Sequence, residues 1–349
     1  MVNTVLHHQL ARLLSRENLT RGESTELLEA MLREDASDAQ IAAALAALTA
    51  KGETVEELAG MAEALRRRAV KVNSCHTTFI DTAGTGSSRA KTFNVSTAAA
   101  FVIAGAGLPV AKHGNRAVSS KSGSADVLSK LGVNVTALTN VSENCLNEIG
   151  ICFMFAPLYH GATARVAGIR RELGIHTTFN LLGPLSNPAG APRQIIGVWR
   201  RELVELLANV LVALGTDRAW VVHGEDGLDE ITLAGKTFVA EAYDGRVKTF
   251  AIAPQDFDLF VGTLDHLRDG EAEANAQIIR EVLSGKRRDE ARALIVINAA
   301  AALFVGGKAE TLNEAARLAE ESIDSGEALL KLEQLIKATN SSSSAEGAE

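Results

Sequence analysis

With 349 residues, 46% of them hydrophobic and 22% charged, the chain has the length of about two domains and enough apolar material for a real core. Aromatic residues make up only 4%, which points away from an aromatic-rich β-sandwich and towards helices packed on a sheet of small residues. A net charge of −8 and an isoelectric point near 5.6 exclude bulk nucleic-acid binding, which needs an extended basic surface, but leave room for a local basic pocket.

Residues 1–70 read as helices alone. Three start signals occur in succession, Thr20-x-x-Glu23, Ser37-x-x-Gln40 and Thr54-x-x-Glu57. Each puts a hydroxyl over a free amide and an acid or amide three residues on to reach back. Leu27, Leu28, Met31 and Leu32, then Ile41, Leu45 and Leu48, recur at helical spacing. A small bundle over 1–72 is expected, with no chemistry of its own. The opening "MVNTVLHHQLARLL" lacks the basic-then-apolar layout of a signal peptide, and no uncharged apolar run reaches membrane-spanning length. Cys75, Cys145 and Cys152 have no metal-ligand spacing and are odd in number, so reduced thiols in a cytoplasmic protein are expected.

From about residue 76 the pattern becomes strand, turn, helix. "TTFID" is a short strand, followed by "TAGTGSS" and a helix from about Ser96. "LPVAKHG" is a second strand and "SADVLSKLG" a helix, with Ser124 as its N-cap and Gly132 near its end. "ICFMFA" is a buried strand and "TARVAGIRREL" a helix. "RQIIGVW", "RELVELLANVLVALG" and "RAWVVHG" then read strand, helix, strand, an order that argues a mainly parallel sheet. Asp244-Gly245 between extended runs predicts a hairpin. Residues 269–336 are mostly helical, and 339–349 read as a disordered, low-complexity tail. The expected class is α/β. A small all-helical part over 1–72 is joined by a helical segment near 163–185. A larger part over 73–338 is built around a mostly parallel sheet.

Four segments carry chemistry. Gly84-Thr85-Gly86-Ser87-Ser88 permits close backbone approach, and with Thr92, Asn94, Ser96 and Thr97 it leads into a helix N-terminus, which offers amides and hydroxyls to an anion or hydrated metal. It is not a P-loop and lacks the full dinucleotide fingerprint. Alone, it reads as an ordinary turn. The stretch "AKHGNRAVSSKSGSAD" gathers Lys112, His113, Arg116 and Lys121 among Gly114, Gly123, Asn115 and Ser119, Ser120, Ser122 and Ser124, with one acid, Asp126. So many small residues beside cations favour an anion site over a solvated loop. Two such strand-to-helix turns in a parallel sheet lie on one side and can hold two anionic groups together. "HGEDGLDE" brings the adjacent carboxylates Asp229 and Glu230 after a glycine turn, a donor pair suited to magnesium beside phosphates. In residues 168–190, one of Arg170 and Arg171 faces a cleft, and "LLGPLSNPAG" reads as turn, yet is too apolar for a plain surface loop and suits the lining of a pocket. His160 and His176 read as satisfied structural histidines. No nucleophile–base order or zinc spacing is present.

Together, "GTGSSRAKTFNVST", "AKHGNRAVSSKSGSADVL", "RRELGIHTTFNLLGPLSNP" and "HGEDGLDEI" resemble the anthranilate phosphoribosyltransferase family, whose fold is shared with pyrimidine nucleoside phosphorylases. The resemblance runs from about residue 8 to 335. It implies transfer of a phosphoribosyl group from phosphoribosyl pyrophosphate to the anthranilate amine in tryptophan biosynthesis. It also implies two magnesium ions per subunit and a homodimer through the helical part. It places Gly84, Thr85, Gly86 and Ser87 on the pyrophosphate. Thr92, Asn94, Ser96, Thr97, Lys112, Ser119 and Ser120 fall around the rest of the donor. Gly84, His113, Asn115, His160, Arg170, Gly183 and Pro184 line the anthranilate site, with Arg170 on the carboxylate. Ser96, Asp229 and Glu230 hold metal. No dedicated acid–base residue is implied, because positioning and leaving-group stabilisation carry the reaction. Three departures stand out: Ser87-Ser88 for the family's Gly-Asp, His160-Gly161 for its His-Pro, and His176 for an arginine. The alternatives are a nucleoside phosphorylase, or a non-catalytic nucleic-acid-binding paralogue, which the net charge opposes.

Overall fold

The computed structural model describes residues 3–86, 90, 92–117, 121–267 and 270–341. Ser87, Ser88, Ser119, Ser120 and the tail from 342 lie outside the described residues.

Four helices open the chain, α1 (Thr4–Leu14), α2 (Arg21–Met31), α3 (Asp38–Lys51) and α4 (Val55–Arg68). Thr20, Ser37 and Thr54 cap α2, α3 and α4 in reciprocal capping boxes with Glu23, Gln40 and Glu57. Glu57 does more than cap. Its carboxylate is fully buried and pairs with the buried Lys51 ammonium at 2.9 Å. It also accepts from the backbone amides of Leu19 and Thr54, while Lys51 donates to Asn18 and to the Gly52 carbonyl. Where α2 crosses α4, a Cβ on Gly60 would sit 2.1 Å from the Arg21 carbonyl oxygen, so only glycine permits this approach.

The chain then enters a seven-stranded sheet ordered β3-β2-β1-β4-β5-β6-β7. The strands are β1 (Ile80–Asp81), β2 (Val110–Gly114), β3 (Ile151–Phe155), β4 (Arg193–Gly197), β5 (Arg218–Gly224), β6 (Thr237–Tyr243) and β7 (Arg246–Ile252). β3, β2, β1, β4 and β5 are parallel, and β6 and β7 add an antiparallel edge. The mainly parallel α/β class is borne out. Asp244 and Gly245 both take positive φ, 51° and 69°, the geometry a two-residue turn needs between β6 and β7. Between strands run α5 (Val95–Gly105), α6 (Ser124–Leu131), α7 (Thr139–Glu148), the short α8 (Ala156–Tyr159), α9 (Ala164–Leu173), α10 (Thr178–Leu185) and α11 (Glu202–Ala213). Four helices follow the sheet: α12 (Ala272–Leu283), α13 (Glu290–Val305), α14 (Leu312–Asp324) and α15 (Glu327–Ser341).

Side chains alternate across the sheet between two cores. Ile195, Trp220, Val222 and Val239 face α5, α13, α14 and α15. Their neighbours Ile196, Ala219, Val221 and Ala240 face α11, and that core runs on without a break into α1–α4. Val166 and Ile169 of α9, and Phe179, Leu181, Leu182 and Leu185 of α10, are buried in it too. The chain therefore leaves the sheet after β3, crosses to the bundle and returns to β4. Arg66 of α4 donates to the Leu185 carbonyl, and Thr178 of α10 donates to Glu53.

Three local expectations need correction. Gly123, not Ser124, is the N-cap of α6; Ser124 is its first residue and donates to the Asn115 carbonyl, while Asp126 takes the Gly123 amide. "LLGPLSNPAG" is not all turn, since α10 runs through Pro184 to Leu185. The tail does not begin at 339. Helix α15 continues to Ser341 because Thr339 accepts from the Asn134 amide and Asn340 donates to the Gly132 carbonyl.

Replacing Glu57 with alanine leaves the Lys51 ammonium buried without its counter-charge. We expect a loss of about 3–5 kcal/mol of stability, read as a lower urea midpoint by circular dichroism.

Candidate active site

The parallel strands end along one edge, and the segments leaving those ends form a cleft of about 340 Å³. β1 runs outward to β2 and β3, while β4 and β5 continue on its other side, so the strand order reverses between β1 and β4. Ligands of open α/β sheets bind at such a crevice. Here the Gly84-Thr85 turn after β1 rests on the end of β4. The Thr85 amide and hydroxyl both donate to the Gly197 carbonyl, at 2.9 and 3.0 Å. On the other side of Gly197, a Cβ would lie 1.6 Å from the Asp229 carbonyl oxygen. Gly197 thus lets the phosphate-type turn and the acidic loop converge, a role that its place inside a strand pattern does not signal.

On the sheet side, Lys112 is 4% exposed and its ammonium donates to the Thr82 hydroxyl at 3.2 Å, the Thr82 carbonyl at 3.4 Å and the Ser96 hydroxyl at 3.4 Å. Burial holds it below the usual lysine range, opposed by the charges of Asp81 and Glu230. Asp81 is fully buried. It accepts from Asn187 at 2.6 Å, from the Ala83 amide at 3.0 Å and from the His113 amide at 3.2 Å. Burial pushes its carboxyl up to about 6, with Lys112 and these donors pulling the other way, so it is mainly ionised at pH 7. Neither Asp81 nor Asn187 stands out in the sequence. One reads as the end of a strand, the other as part of a proline turn.

Asp229 and Glu230 line the same wall, and Glu230 accepts from the Ser96 amide at the start of α5. Burial, then the neighbouring Asp229 charge, push Glu230 up to about 8. Two adjacent carboxylates whose charge is this unfavourable, beside a hydroxyl, are an all-oxygen donor set that a divalent cation such as magnesium suits. Another acid-bearing group able to share an ion, among the described residues, is His266, Asp289 and Glu290. It does not line the cleft, and Asp289 is paired with Arg287.

The N-cap of α5 is Asn94, not Ser96 or Thr97, and it makes no side-chain cap bond. Asn94 instead accepts from Ser122 and Asn275. Thr97 Oγ1 is buried with no partner among the described residues. Arg116 pairs with Asp126 at 3.0 Å at the cleft edge.

On the helical side, α9 presents Arg170 and leaves Arg171 exposed. Burial holds the Arg170 guanidinium below its usual range. It lies 5.5 Å from the Phe179 ring and donates to Asn180 at 3.4 Å. No carboxylate of the described residues pairs with it. His113 Nδ1 donates to the Gly183 carbonyl at 3.2 Å, and the His160 ring lies 5.1 Å from that of His113, centre to centre. Burial, reinforced by His160 and Lys112, holds His113 down to about 3; burial holds His160 down to about 4. Both imidazoles are neutral at pH 7. Asn115, Gly183 and Pro184 complete this wall. His176 does not reach the cleft, and its ring packs 4.7 Å from that of Trp199.

Of the residues singled out from the sequence, Gly84, Thr85, Gly86, Thr92, Asn94, Ser96, Thr97, Lys112, His113, Asn115, His160, Arg170, Gly183, Pro184, Asp229 and Glu230 all line this one cleft. Ser87, Ser119 and Ser120 lie outside the described residues.

The glycosyl transferase family a/b domain matches residues 76–329, and the helical bundle domain of the same family matches residues 8–69. The anthranilate phosphoribosyltransferase of Desulfosudis oleivorans is 50% identical over 332 residues, covering 95% of this chain and 98% of the relative. The crystal structure of anthranilate phosphoribosyltransferase from Thermus thermophilus superposes with a TM-score of 0.89 at 38% identity, covering 95% of this chain and 98% of that one. The Saccharomyces cerevisiae enzyme in complex with phosphoribosyl pyrophosphate and magnesium gives 0.86 at 30% identity, with 97% and 98% covered.

His160 titrates near 6.5 when unfolded and near 4 when folded. The unfolded chain therefore binds more protons as pH falls below about 6.5, and the stability of keeping this ring neutral, complete above that pH, is progressively lost. At pH 5 the deficit is about 2 kcal/mol. The His160→Gln variant should lose correspondingly less stability between pH 7 and pH 5 than the parent, measured by urea melts at the two pH values.

Proposed function

The chain belongs to the anthranilate phosphoribosyltransferases of this glycosyl transferase family, and from that premise we infer that it transfers the 5-phosphoribosyl group of phosphoribosyl pyrophosphate to the anthranilate amine, releasing pyrophosphate. The observation that carries this is Arg170. A half-buried cation on a cleft wall, without an acidic partner among the described residues, calls for an anionic group from a ligand. The opposite wall offers the cations, amides and carboxylates that a pyrophosphate with metal needs. A pyrimidine nucleoside brings no carboxylate to Arg170, which disfavours the phosphorylase alternative.

In this reading, the Gly84-Thr85-Gly86 turn cradles the pyrophosphate: Gly84 and Gly86 present backbone amides, and Thr85 holds the turn in place through its two hydrogen bonds to Gly197. Thr92, Asn94, Ser96, Thr97 and Lys112 hold the remaining donor oxygens, and the α5 N-terminus adds its dipole. Ser87, Ser119 and Ser120 are assigned to the donor as well. Ser96, Asp229 and Glu230 hold magnesium, two ions per subunit, which when bound neutralises charge on the departing pyrophosphate. Gly84, His113, Asn115, His160, Gly183 and Pro184 enclose the anthranilate ring, and Arg170 fixes its carboxylate. Lys112 then stabilises negative charge that grows as the bond to pyrophosphate stretches, in a site largely screened from water.

We also assign a homodimer through the N-terminal helical part, where Leu14 of α1 is 70% exposed. The absence of a helix long and apolar enough to cross a membrane, among the described residues, and three unpaired thiols fit the cytoplasmic assignment.

The direct measurement is loss of anthranilate fluorescence with phosphoribosyl pyrophosphate across a magnesium titration. Donor- and metal-dependent loss with stoichiometric pyrophosphate is the expected result. Turnover of a nucleoside with inorganic phosphate instead, or none, would reverse the reading. Arg170→Ala should raise the anthranilate KM about 100-fold, as expected for removing one member of a buried charge pair, while the donor KM stays within a few-fold. Equal effects on both would remove Arg170 from the acceptor site.

A further inference from the structure

Two buried imidazoles on the acceptor wall each keep one nitrogen in reserve. His113 is 5% exposed and His160 is 7% exposed, and both line the cleft. The Gly183 carbonyl can only accept, so His113 carries its proton on Nδ1 and a lone pair on Nε2. His160 likewise hydrogen-bonds the backbone at Ser186 and has no partner at Nε2 among the described residues. His113 Nε2 is unpartnered in the same sense. A buried acceptor without a donor is destabilising unless a ligand supplies one. The two rings pack against each other, 5.1 Å centre to centre, so both belong to one stretch of the cleft wall.

On the reading of the acceptor given above, we propose that His160 Nε2 takes the proton shed by the acceptor amine, while His113 Nε2 accepts the N–H bond that the product keeps. The nitrogen lone pair forms the bond to the ribose carbon. The carbon–oxygen bond to pyrophosphate breaks with its electron pair leaving on oxygen. The electron pair of one N–H bond stays on nitrogen as its proton moves to His160, which becomes an imidazolium and returns the proton to water when the product leaves.

The two rings divide these roles by their surroundings. His113 sits on β2 next to Lys112, a poor place for a second positive charge. His160 ends the short helix α8 and faces Lys71 and the neutral His113. Its backbone is pinned by Thr163, whose amide and hydroxyl both donate to the His160 carbonyl. Burial and Lys71 make His160 a weak base. Weakness suits the task. An aromatic ammonium with a new carbon substituent is itself strongly acidic, and proton transfer is efficient when the partners' acidities are matched. A stronger base would be protonated at rest and would lose the lone pair.

Glutamine keeps an accepting oxygen but cannot take a proton. The experiment is single-turnover stopped-flow fluorescence of anthranilate and phosphoribosyl pyrophosphate with magnesium, on the parent chain, His160→Gln and His113→Gln. His160→Gln should keep the anthranilate KM within about threefold while its chemical step slows by about 100-fold. His113→Gln should raise the anthranilate KM with less effect on the chemical step. The parent should be slower in D2O, an effect that needs no variant to fold and that His160→Gln should abolish. A His160→Gln chemical step within threefold of the parent, or no D2O effect on the parent, overturns the proton assignment alone. A parent chain inert to anthranilate overturns the functional reading beneath it.

Discussion

The cleft depends on one buried carboxylate. Asp81 closes a strand only two residues long, and its oxygens gather N–H groups from three segments: the turn that follows it, the end of β2, and Asn187 beyond α10. Without that gathering, nothing in so short a strand would fix the Gly84 turn against β4. Asn187 also donates to the Ala111 carbonyl, so the chain returning from the helical segment is tied to the strand that carries Lys112 and His113. The two sides of the cleft are registered on each other through Asp81. A carboxylate fits this place because it alone accepts several N–H bonds while balancing the ammonium of Lys112.

Charge inside the cleft is arranged in unsettled pairs. At one wall burial and the neighbouring Asp229 disfavour charge on Glu230, and at the other no carboxylate of the described residues pairs with Arg170. Each is costly in an empty site and favourable in a filled one. The overall charge of −8 and a cleft that holds Lys112 and Arg170 are therefore compatible, because the substrate charges are themselves confined to a few ångströms.

Much of the fold was legible in the sequence because it is written locally. Capping boxes at Thr20, Ser37 and Thr54, the Asp244-Gly245 turn and the glycine end of α6 each need only a few neighbouring residues. The cleft was legible too, but mostly by resemblance: composition and spacing alone left Asp229, Arg170 and the histidines ambiguous. What stayed hidden depends on distant partners. Gly197 matters because Asp229 comes to lie against it, and Asn187 because Asp81 waits across the sheet. Ser124 misled because serine is a good cap in isolation, whereas here its hydroxyl has the Asn115 carbonyl to satisfy.

Neighbouring residues along β4, β5 and β6 belong to different cores, and one of those cores is shared with α1–α4. The boundary between the two family matches, at residues 69 and 76, therefore does not mark a break in the apolar core. A fragment ending there would carry away one side of an apolar contact and strip α11 of its cover. A chain split at this junction can fold only if both pieces find each other again, because the apolar core they share belongs to neither alone.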